Sequence, residues 1–194
     1  MVELSPKAED ILACARRLIL AGGYDGFSYA DISTVVGIRK ASIHHHFPSK
    51  TDLVTALVAR HREEAEAGVA ALEREVADPV DKLRAYMGYW ENCIADTSVP
   101  FCVCALLASQ LPALPEVVAF EVRAYFRSLS AWLASVLERC ARQGSIRLHG
   151  TAAAEAESFM ATIHGAMLSA RAYGDPRMFG LITQQLLARL ILRP

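Results

Sequence analysis

The sequence predicts an all-α protein, and three features of its 194 residues support that class. Serine or aspartate directly precedes proline at Ser5-Pro6, Asp78-Pro79 and Asp175-Pro176, a pairing typical of helix starts. Apolar residues after Ser5 recur at the i, i+3, i+4 spacing of a helix with one buried face. The composition is rich in Ala and Leu, and no stretch alternates convincingly as a β-strand does.

Composition and charge exclude several functional classes. Hydrophobic residues make up 53% and charged residues 21%, which is typical of a globular chain. The formal net charge of −1 shows that the protein is not basic all over, although its 20 Lys and Arg residues can cluster. No apolar run reaches the roughly 18 residues of a membrane span, and the N-terminus is unlike a signal peptide. Five cysteines do not suit a secreted disulfide framework, so we expect a cytoplasmic protein with reduced thiols and no cofactor.

Charge and helix breakers divide the chain into three parts. Between Val36 and Arg62 five basic residues oppose one acidic residue, a local net charge of +4, and the following residues 63–75 are acidic. Ala77-Asp78-Pro79 then interrupts the chain ahead of a longer and more apolar remainder. We therefore predict a three-helix head at residues 1–56, a connecting helix at residues 57–77 and a helical body at residues 78–194.

A capping box and a glycine define a short helix in the head. Ser28 and Asp31 have the spacing at which the serine hydroxyl accepts from a helix amide and the carboxylate reaches back to the serine amide. Gly37 follows, where a helix ends in the left-handed conformation. We expect this helix to bury Ile32, Val35 and Val36.

A second short helix, from Lys40 to Phe47, completes a helix-turn-helix. In this motif the second helix enters the major groove of DNA, where its side chains reach the base edges. Short helices joined by glycine also occur in bundles that bind no DNA, but a core helix would not carry so many polar groups on one turn. The predicted base-reading residues are Arg39, Lys40, Ser42, and His44 or His45.

Another capping box, from Ser49 to Asp52, begins a long helix at Lys50. Exposed amides and the helix dipole attract phosphate at such a first turn. We therefore expect a group of residues that mainly holds DNA phosphates, with Ser28 also at the DNA surface. The phosphate-holding residues are Tyr29, His45 and Lys50.

These motifs resemble the DNA-binding head of the TetR family of bacterial transcriptional repressors. The resemblance covers residues 8–56 in one register, about a quarter of the chain. The family usually carries two tyrosines, which typically contact DNA, where this chain has His44 and His45. The matching motifs include Gly26-Phe27-Ser28, Ala30-Asp31-Ile32, Val36-Gly37-Ile38, His46-Phe47 and Ser49-Lys50.

The resemblance implies an all-α homodimer that binds a pseudo-palindromic operator in double-stranded DNA and releases it when an effector binds the body. The two recognition helices of such a dimer enter successive major grooves about 34–36 Å apart. The spacing of apolar residues in the body predicts five helices. These are Val80–Thr97, Val99–Leu111, Glu116–Gln143, Thr151–Tyr173 and Pro176–Leu192.

The last two helices, at residues 151–173 and 176–192, are apolar over wide arcs. Arcs of that width need burial on two sides, so these helices predict a dimer interface, as the family resemblance also implies. Aromatic residues in the body belong either to its core or to an apolar pocket with a few polar groups. The predicted effector-binding residues are Tyr86, Tyr89, Trp90, Phe126, His164 and Met167.

Cys102 has two interpretations. It is either a small buried core residue or a reactive thiol in the first turn of a helix, where the dipole stabilises a thiolate. The segment around it resembles the branch of the family that contains an N-ethylmaleimide-sensing repressor, which implies a sensor role for Cys102. The effector is then either a thiol-reactive electrophile or oxidant, or a reversible apolar ligand.

A small helical enzyme that uses Cys102 with His164 as nucleophile and base is the alternative from another class. That alternative leaves the polar face from Arg39 to His45 without a purpose, and no oxyanion or phosphate-loop signature accompanies it. A metal site at His44–His46 is not expected, because successive helical positions point about 100° apart. We therefore predict no catalytic and no metal-binding residues.

Overall fold

The computed structural model of the chain describes residues 4–96 and 101–192. Over these ranges the protein is helical, and its extended backbone pairs only at an isolated antiparallel bridge between Ile146 and Ile191. The all-α prediction is confirmed. The helices are α1 (Pro6–Gly22), α2 (Tyr29–Val36), α3 (Lys40–His46), α4 (Lys50–Glu75), α5 (Pro79–Ala95), α6 (Val103–Ala108), α7 (Glu116–Arg142), α8 (Ala152–Tyr173) and α9 (Arg177–Leu190), with a 3₁₀ turn at Leu111–Ala113.

The helix ends follow from local chemistry. Ser5 caps α1 by accepting a hydrogen bond from the Ala8 amide, and Asp78 caps α5 by accepting from two amides of its first turn. Gly174 ends α8 in the left-handed conformation, with φ at 61°. These predicted helix ends are confirmed.

Two predicted helices differ from those observed. The helix expected at residues 99–111 is shorter in the structure: α6 begins at Val103 and ends at Ala108. Residues 99 and 100 of the expected helix lie outside the described residues, and so does Thr97, the expected end of α5. Proline has no backbone N–H to donate to the preceding helical turn, so Pro112 lies in a 3₁₀ turn and does not continue α6. Helix α9 begins at Arg177, because Asp175 accepts from the Arg177 amide at 3.0 Å and Pro176 takes the N-cap position.

The chain divides into two compact units, and the first contains residues 1–64 and 103–125. Here α1, α2 and α3 pack on one another, and α6 packs against α1. The first half of α4 carries the buried residues of that helix, and its Arg60 pairs with Glu9 of α1 at 3.1 Å. Within this unit, Arg62 pairs with Glu121 at 3.2 Å, and the rings of His61 and Tyr125 stack with 5.2 Å between centroids. The core of the unit includes the fully buried residues Ile11, Ile19, Ile32, Ile43 and Leu53.

The second unit contains residues 65–102 and 126–194. Helices α8 and α9 pack along each other, and α5 contacts both. Several large side chains are fully excluded from solvent here, which gives this unit a hydrophobic core of its own. They include Leu83, Leu133, Phe159, Ile163 and Phe179.

Candidate DNA-binding interface and effector residues

The first helix of the helix-turn-helix is built as predicted at both ends. The Ser28 amide and hydroxyl both donate to Asp31 Oδ2 at 2.7 Å, and the Ala30 amide donates to Ser28 Oγ at 3.2 Å. The Ser28 hydroxyl holds the pKa of the Asp31 carboxyl below its usual value. Gly37 ends α2 in the left-handed conformation, with φ at 70°. The capping box and the glycine turn are confirmed.

The buried face of α2 is narrower than expected. Ile32 is its fully buried residue, whereas Val35 is 56% exposed and Val36 is half-buried. The prediction of three buried residues is wrong. Helix α2 has eight residues and contacts α1 and α3, and only a narrow face of it is buried. Val35 therefore adds an apolar side chain to the surface of the head.

Helix α3 brings the predicted base-reading residues together on one exposed face. Its back is held by Ile43 and Phe47, which are 0% and 5% exposed. The Arg39 backbone forms the N-cap without using its side chain, so the guanidinium is not consumed by the helix start. The residues on the outward face are Arg39, Lys40, His44 and His45, which are exposed, and Ser42, which is half-buried.

Tyr29 and His44 form a pair at the C-terminal end of α3. Their rings meet edge to face with 4.8 Å between centroids. The Tyr29 hydroxyl donates to the Phe47 carbonyl at 2.8 Å, and His44 Nδ1 lies 3.0 Å from the Pro48 carbonyl oxygen. Burial raises the pKa of Tyr29 to about 12, so its hydroxyl keeps its proton at neutral pH. The proton that we expected Tyr29 to offer to a phosphate is thus directed to the Phe47 carbonyl.

Lys50 lies at the junction of the head helices. Its Nζ donates to the Phe27 carbonyl at 2.7 Å and stands 4.5 Å and 4.9 Å from the ring centroids of Phe27 and Tyr24. Burial lowers the pKa of this ammonium. An ammonium has three N–H donors, so this bond leaves donors for a phosphate while fixing the side chain.

The predicted effector residues of the second unit are mostly buried. Tyr86 and Trp90 on α5 are 6% and 3% exposed, and Met167 on α8 is fully buried. His164 packs against Phe126 with 5.2 Å between ring centroids. Among the described residues, His164 Nε2 is buried without a hydrogen-bond partner, and Tyr86 Oη and Trp90 Nε1 are buried with only a weak interaction between them. Such groups are rare in native proteins and mark places where a ligand or water supplies the partner.

Tyr89 and Cys102 differ from their expected settings. Tyr89 is 56% exposed, because the residue before Trp90 is turned about 100° away from the buried stripe of α5. Cys102 is 0% exposed and directly precedes α6, so it is not in the first turn where we expected it. Burial raises the pKa of the Tyr86 hydroxyl, and the nearby Cys102 thiol adds to that rise. All five cysteines are free thiols.

Gln110 is an important residue that the sequence did not single out. Its Oε1 accepts from the Tyr24 amide at 2.9 Å, across 86 residues of sequence. A Cβ on Gly23 would stand only 2.3 Å from the Gln110 amide nitrogen, so the glycine permits this close approach. Both partners belong to the first unit, where Gln110 follows α6. No local pattern predicts a contact of such sequence separation.

Glu73 is the second such residue. Within the second unit it accepts from Trp132 Nε1 at 2.8 Å and Arg139 at 2.5 Å, and it also pairs with the buried Lys82. These partners, Arg139 first, lower the pKa of the Glu73 carboxyl to about 2. The sequence places Glu73 in an acidic stretch that looks like a solvated helix face, so its role as the centre of an ion-pair network was missed.

The helix-turn-helix and its exposed polar face define a DNA-binding regulator, and comparison with known proteins identifies the family. The model for bacterial regulatory proteins of the tetR family matches residues 11–57. The model for the tetracyclin repressor-like C-terminal domain matches residues 79–186. The chain therefore belongs to the TetR family and is a transcriptional regulator.

Solved structures agree with this assignment. A TetR-family transcriptional regulator from Agrobacterium tumefaciens is 66% identical, with a TM-score of 0.93, and the match covers 96% of this chain and 98% of that chain. A TetR regulator from Legionella pneumophila is 26% identical, with a TM-score of 0.85 and coverage of 98% and 100%. The reduced form of NemR from E. coli shares the fold, with a TM-score of 0.86 at 20% identity and coverage of 97% and 99%. No curated protein matches the chain.

These relatives are transcriptional regulators, so the enzyme alternative built on Cys102 and His164 finds no support. Across residues 4–96 and 101–192, no group of three or more His, Cys, Asp or Glu side chains is placed to hold a metal ion. In the same part of the chain, every helix is too short or too polar to span a bilayer.

Proposed function

We propose that this TetR-family regulator is a cytoplasmic homodimeric repressor that holds a pseudo-palindromic operator through α3 and releases it when a small molecule binds the second unit. The observation that carries DNA binding is the exposed face of α3, where Arg39 and Lys40 precede two exposed histidines above a fully apolar back. Cations at the start of a recognition helix suit both phosphates and guanine edges.

A titration of the purified protein against its own upstream DNA, followed by fluorescence anisotropy at several salt concentrations, tests this role. We expect Arg39→Ala and Lys40→Ala each to weaken binding about tenfold or more. A variant that loses a phosphate contact should also lower the slope of log K against log salt by about 1. Lys7→Ala is the matched control, because Lys7 is an exposed lysine on α1. Equal affinity in all four proteins would contradict the assignment of α3 as the recognition helix.

We further propose that two copies associate through α8 and α9. Leu168 and Tyr173 on α8 and Leu181 on α9 are 58%, 73% and 61% exposed in the single chain. Large exposed apolar side chains on adjacent packed helices support a protein–protein interface, and a symmetric dimer is the common way to bury one.

Analytical ultracentrifugation tests the dimer. Leu181→Glu should shift the protein toward the monomer and weaken operator binding, because two half-sites need two heads. Val117→Glu is the matched control, since Val117 is 55% exposed but lies on α7 in the first unit. A dimer that persists in Leu181→Glu at micromolar concentration would move the interface elsewhere.

For the effector, we favour a reversible and largely apolar ligand over a thiol-reactive one. The unpartnered Nε2 of His164, which packs against Phe126, and the weakly paired Tyr86 and Trp90 support a ligand with hydrogen-bonding groups, and the fully buried Met167 adds to the apolar interior of this unit. The complete burial of the Cys102 thiol opposes direct attack on an electrophile.

The two effector classes separate in one experiment. Operator complexes of the wild type and Cys102→Ser are treated with N-ethylmaleimide, and separately with a panel of neutral aromatic carbonyl compounds. We expect a compound of the panel to release both proteins, and to release Tyr86→Phe only at higher concentration. Release by N-ethylmaleimide from the wild type but not from Cys102→Ser would instead make Cys102 the sensor.

A further inference from the structure

The orientation of the His44 ring fixes which of its nitrogens carries the proton. His44 Nδ1 lies 3.0 Å from the Pro48 carbonyl oxygen. A carbonyl oxygen can only accept a hydrogen bond, so Nδ1 must donate. A neutral imidazole has a single N–H, and its other nitrogen is an acceptor. Neutral His44 therefore presents the lone pair of Nε2 and no second donor.

The ring is held in this orientation from a second side. Tyr29 of α2 packs edge to face on it, and the Tyr29 hydroxyl is itself tied to the Phe47 carbonyl at 2.8 Å. Two consecutive carbonyls, those of Phe47 and Pro48, thus fix two neighbouring rings at the end of α3. An acceptor whose direction is set before binding loses little conformational freedom when it meets a base.

His44 differs from the two cations of the α3 face because it can accept a hydrogen bond, and from His45 because the Pro48 carbonyl fixes its tautomer. Arg39 and Lys40 can only donate hydrogen bonds, and the Ser42 hydroxyl can do both. His44 is exposed on the same short helix, one turn after Lys40. It therefore gives this face an acceptor with a defined position.

We propose that His44 determines operator specificity by accepting, through Nε2, a hydrogen bond from the amino group of adenine or cytosine in the major groove. This inference rests on the proposed binding of DNA by α3. Adenine N6 and cytosine N4 donate there, whereas guanine O6 and thymine O4 accept and would oppose the imidazole lone pair. One base position in each half-site should therefore favour an amino base over a keto base roughly tenfold.

Selection from a randomised DNA library with the full-length protein at pH 8 tests the proposal. The wild type should select adenine or cytosine at one position of each half-site. His44→Ala should lose the preference at that position alone, and His44→Lys should invert it toward guanine or thymine, because an ammonium only donates. His149→Ala is the matched control, because His149 is an exposed histidine of the second unit, outside the DNA-binding head, and it should keep the preference of the wild type.

A second measurement uses the selected operator with the amino group of that base removed by a base analogue. Wild-type affinity should fall roughly tenfold, whereas the affinity of His44→Ala should not change. Circular dichroism establishes that each variant is folded before its affinity is compared.

The outcomes separate this inference from the proposed function. If His44→Ala keeps the wild-type base preference, or if the wild type selects a keto base at the position that His44 controls, the inference is overturned while operator binding by α3 stands. If the wild type selects no sequence at all, the proposed function fails first, and with it the inference.

Discussion

Glu73→Gln is the substitution whose effect follows most directly from the structure. Glu73 lies in the second unit, with its side chain 29% exposed, and is bound by Trp132, Arg139 and Lys82. Glutamine keeps an oxygen for the indole N–H but removes the negative charge. Lys82 is only 5% exposed, so its ammonium would remain buried without its carboxylate.

The pKa of Glu73 gives the size of the effect. It is lowered from 4.5 to about 2. Each unit of pKa corresponds to about 1.4 kcal/mol, so the network contributes at most about 3.5 kcal/mol at neutral pH. Partial exposure of the carboxylate and the cost of burying Lys82 place our expectation at about 2–3 kcal/mol. Because the folded-state pKa is the lower one, this stabilisation is present above pH 4.5 and is lost as the pH falls from about 5 toward 2.

Urea unfolding at pH 7, followed by far-ultraviolet circular dichroism at one protein concentration, measures the change. The midpoint should fall by about 1 M for Glu73→Gln. Glu75→Gln, an exposed neighbour on the same helix, should shift the free energy of unfolding by less than about 0.5 kcal/mol. Adding Lys82→Met to Glu73→Gln should recover part of the loss, since an apolar residue replaces the unpaired charge. Equal midpoints for Glu73→Gln and Glu75→Gln would refute the reasoning.

Three further predictions concern the first unit or the connection to it, and each is checked by the same unfolding measurement. Ser28→Ala removes the N-cap of α2 and should lower the free energy of unfolding by about 1 kcal/mol, whereas Thr34→Ala on the same helix should change it much less. Gly37→Ala should lower the free energy of unfolding by about 1 kcal/mol, because φ is 70° at this residue. Gly68→Ala should raise it by up to about 1 kcal/mol, because Gly68 lies within α4 with free space around it and alanine favours the helix. A change of the same sign in both variants would contradict this reasoning. Gln110→Ala leaves the Tyr24 amide without its acceptor and should cost about 1–2 kcal/mol, a loss that an unchanged midpoint would disprove.

The parts of the fold that the sequence predicts are those governed by neighbours in the chain. The caps at Ser5, Ser28 and Asp78 act within three residues, as does the left-handed glycine that ends α2 or α8. Such signals need no knowledge of tertiary structure, because the side chain and the amide that it caps belong to the same turn. The helix-turn-helix could be predicted as a unit for the same reason, because its caps and its glycine turn act between neighbouring residues.

The parts that the sequence could not predict depend on partners far along the chain. Gln110 meets Tyr24 across 86 residues, and Glu73 meets Trp132 and Arg139 across 59 and 66 residues. A glutamate on a solvated helix face and a glutamate at the centre of an ion-pair network occupy the same kind of sequence position. Only the packing of other helices beside it distinguishes the two.

In the head, residue type predicts which side chains lie near the surface better than it predicts which partners they bind. Tyr29 and Lys50 were both expected to hold phosphates, and both are tied to carbonyl oxygens inside the head, those of Phe47 and Phe27. The Arg39 side chain takes no part in the N-cap of α3, and the Lys40 ammonium attracts the Asp31 carboxylate. Replacing Tyr29 or Lys50 therefore removes a hydrogen bond that supports α3, whereas replacing Arg39 removes no cap bond of the helix and replacing Lys40 removes only its attraction to Asp31. The polar residues of the head thus form two groups, one that positions α3 and one that we propose meets the operator. In this proposal His44 belongs to both groups, because Nδ1 bonds to the Pro48 carbonyl and Nε2 faces the DNA.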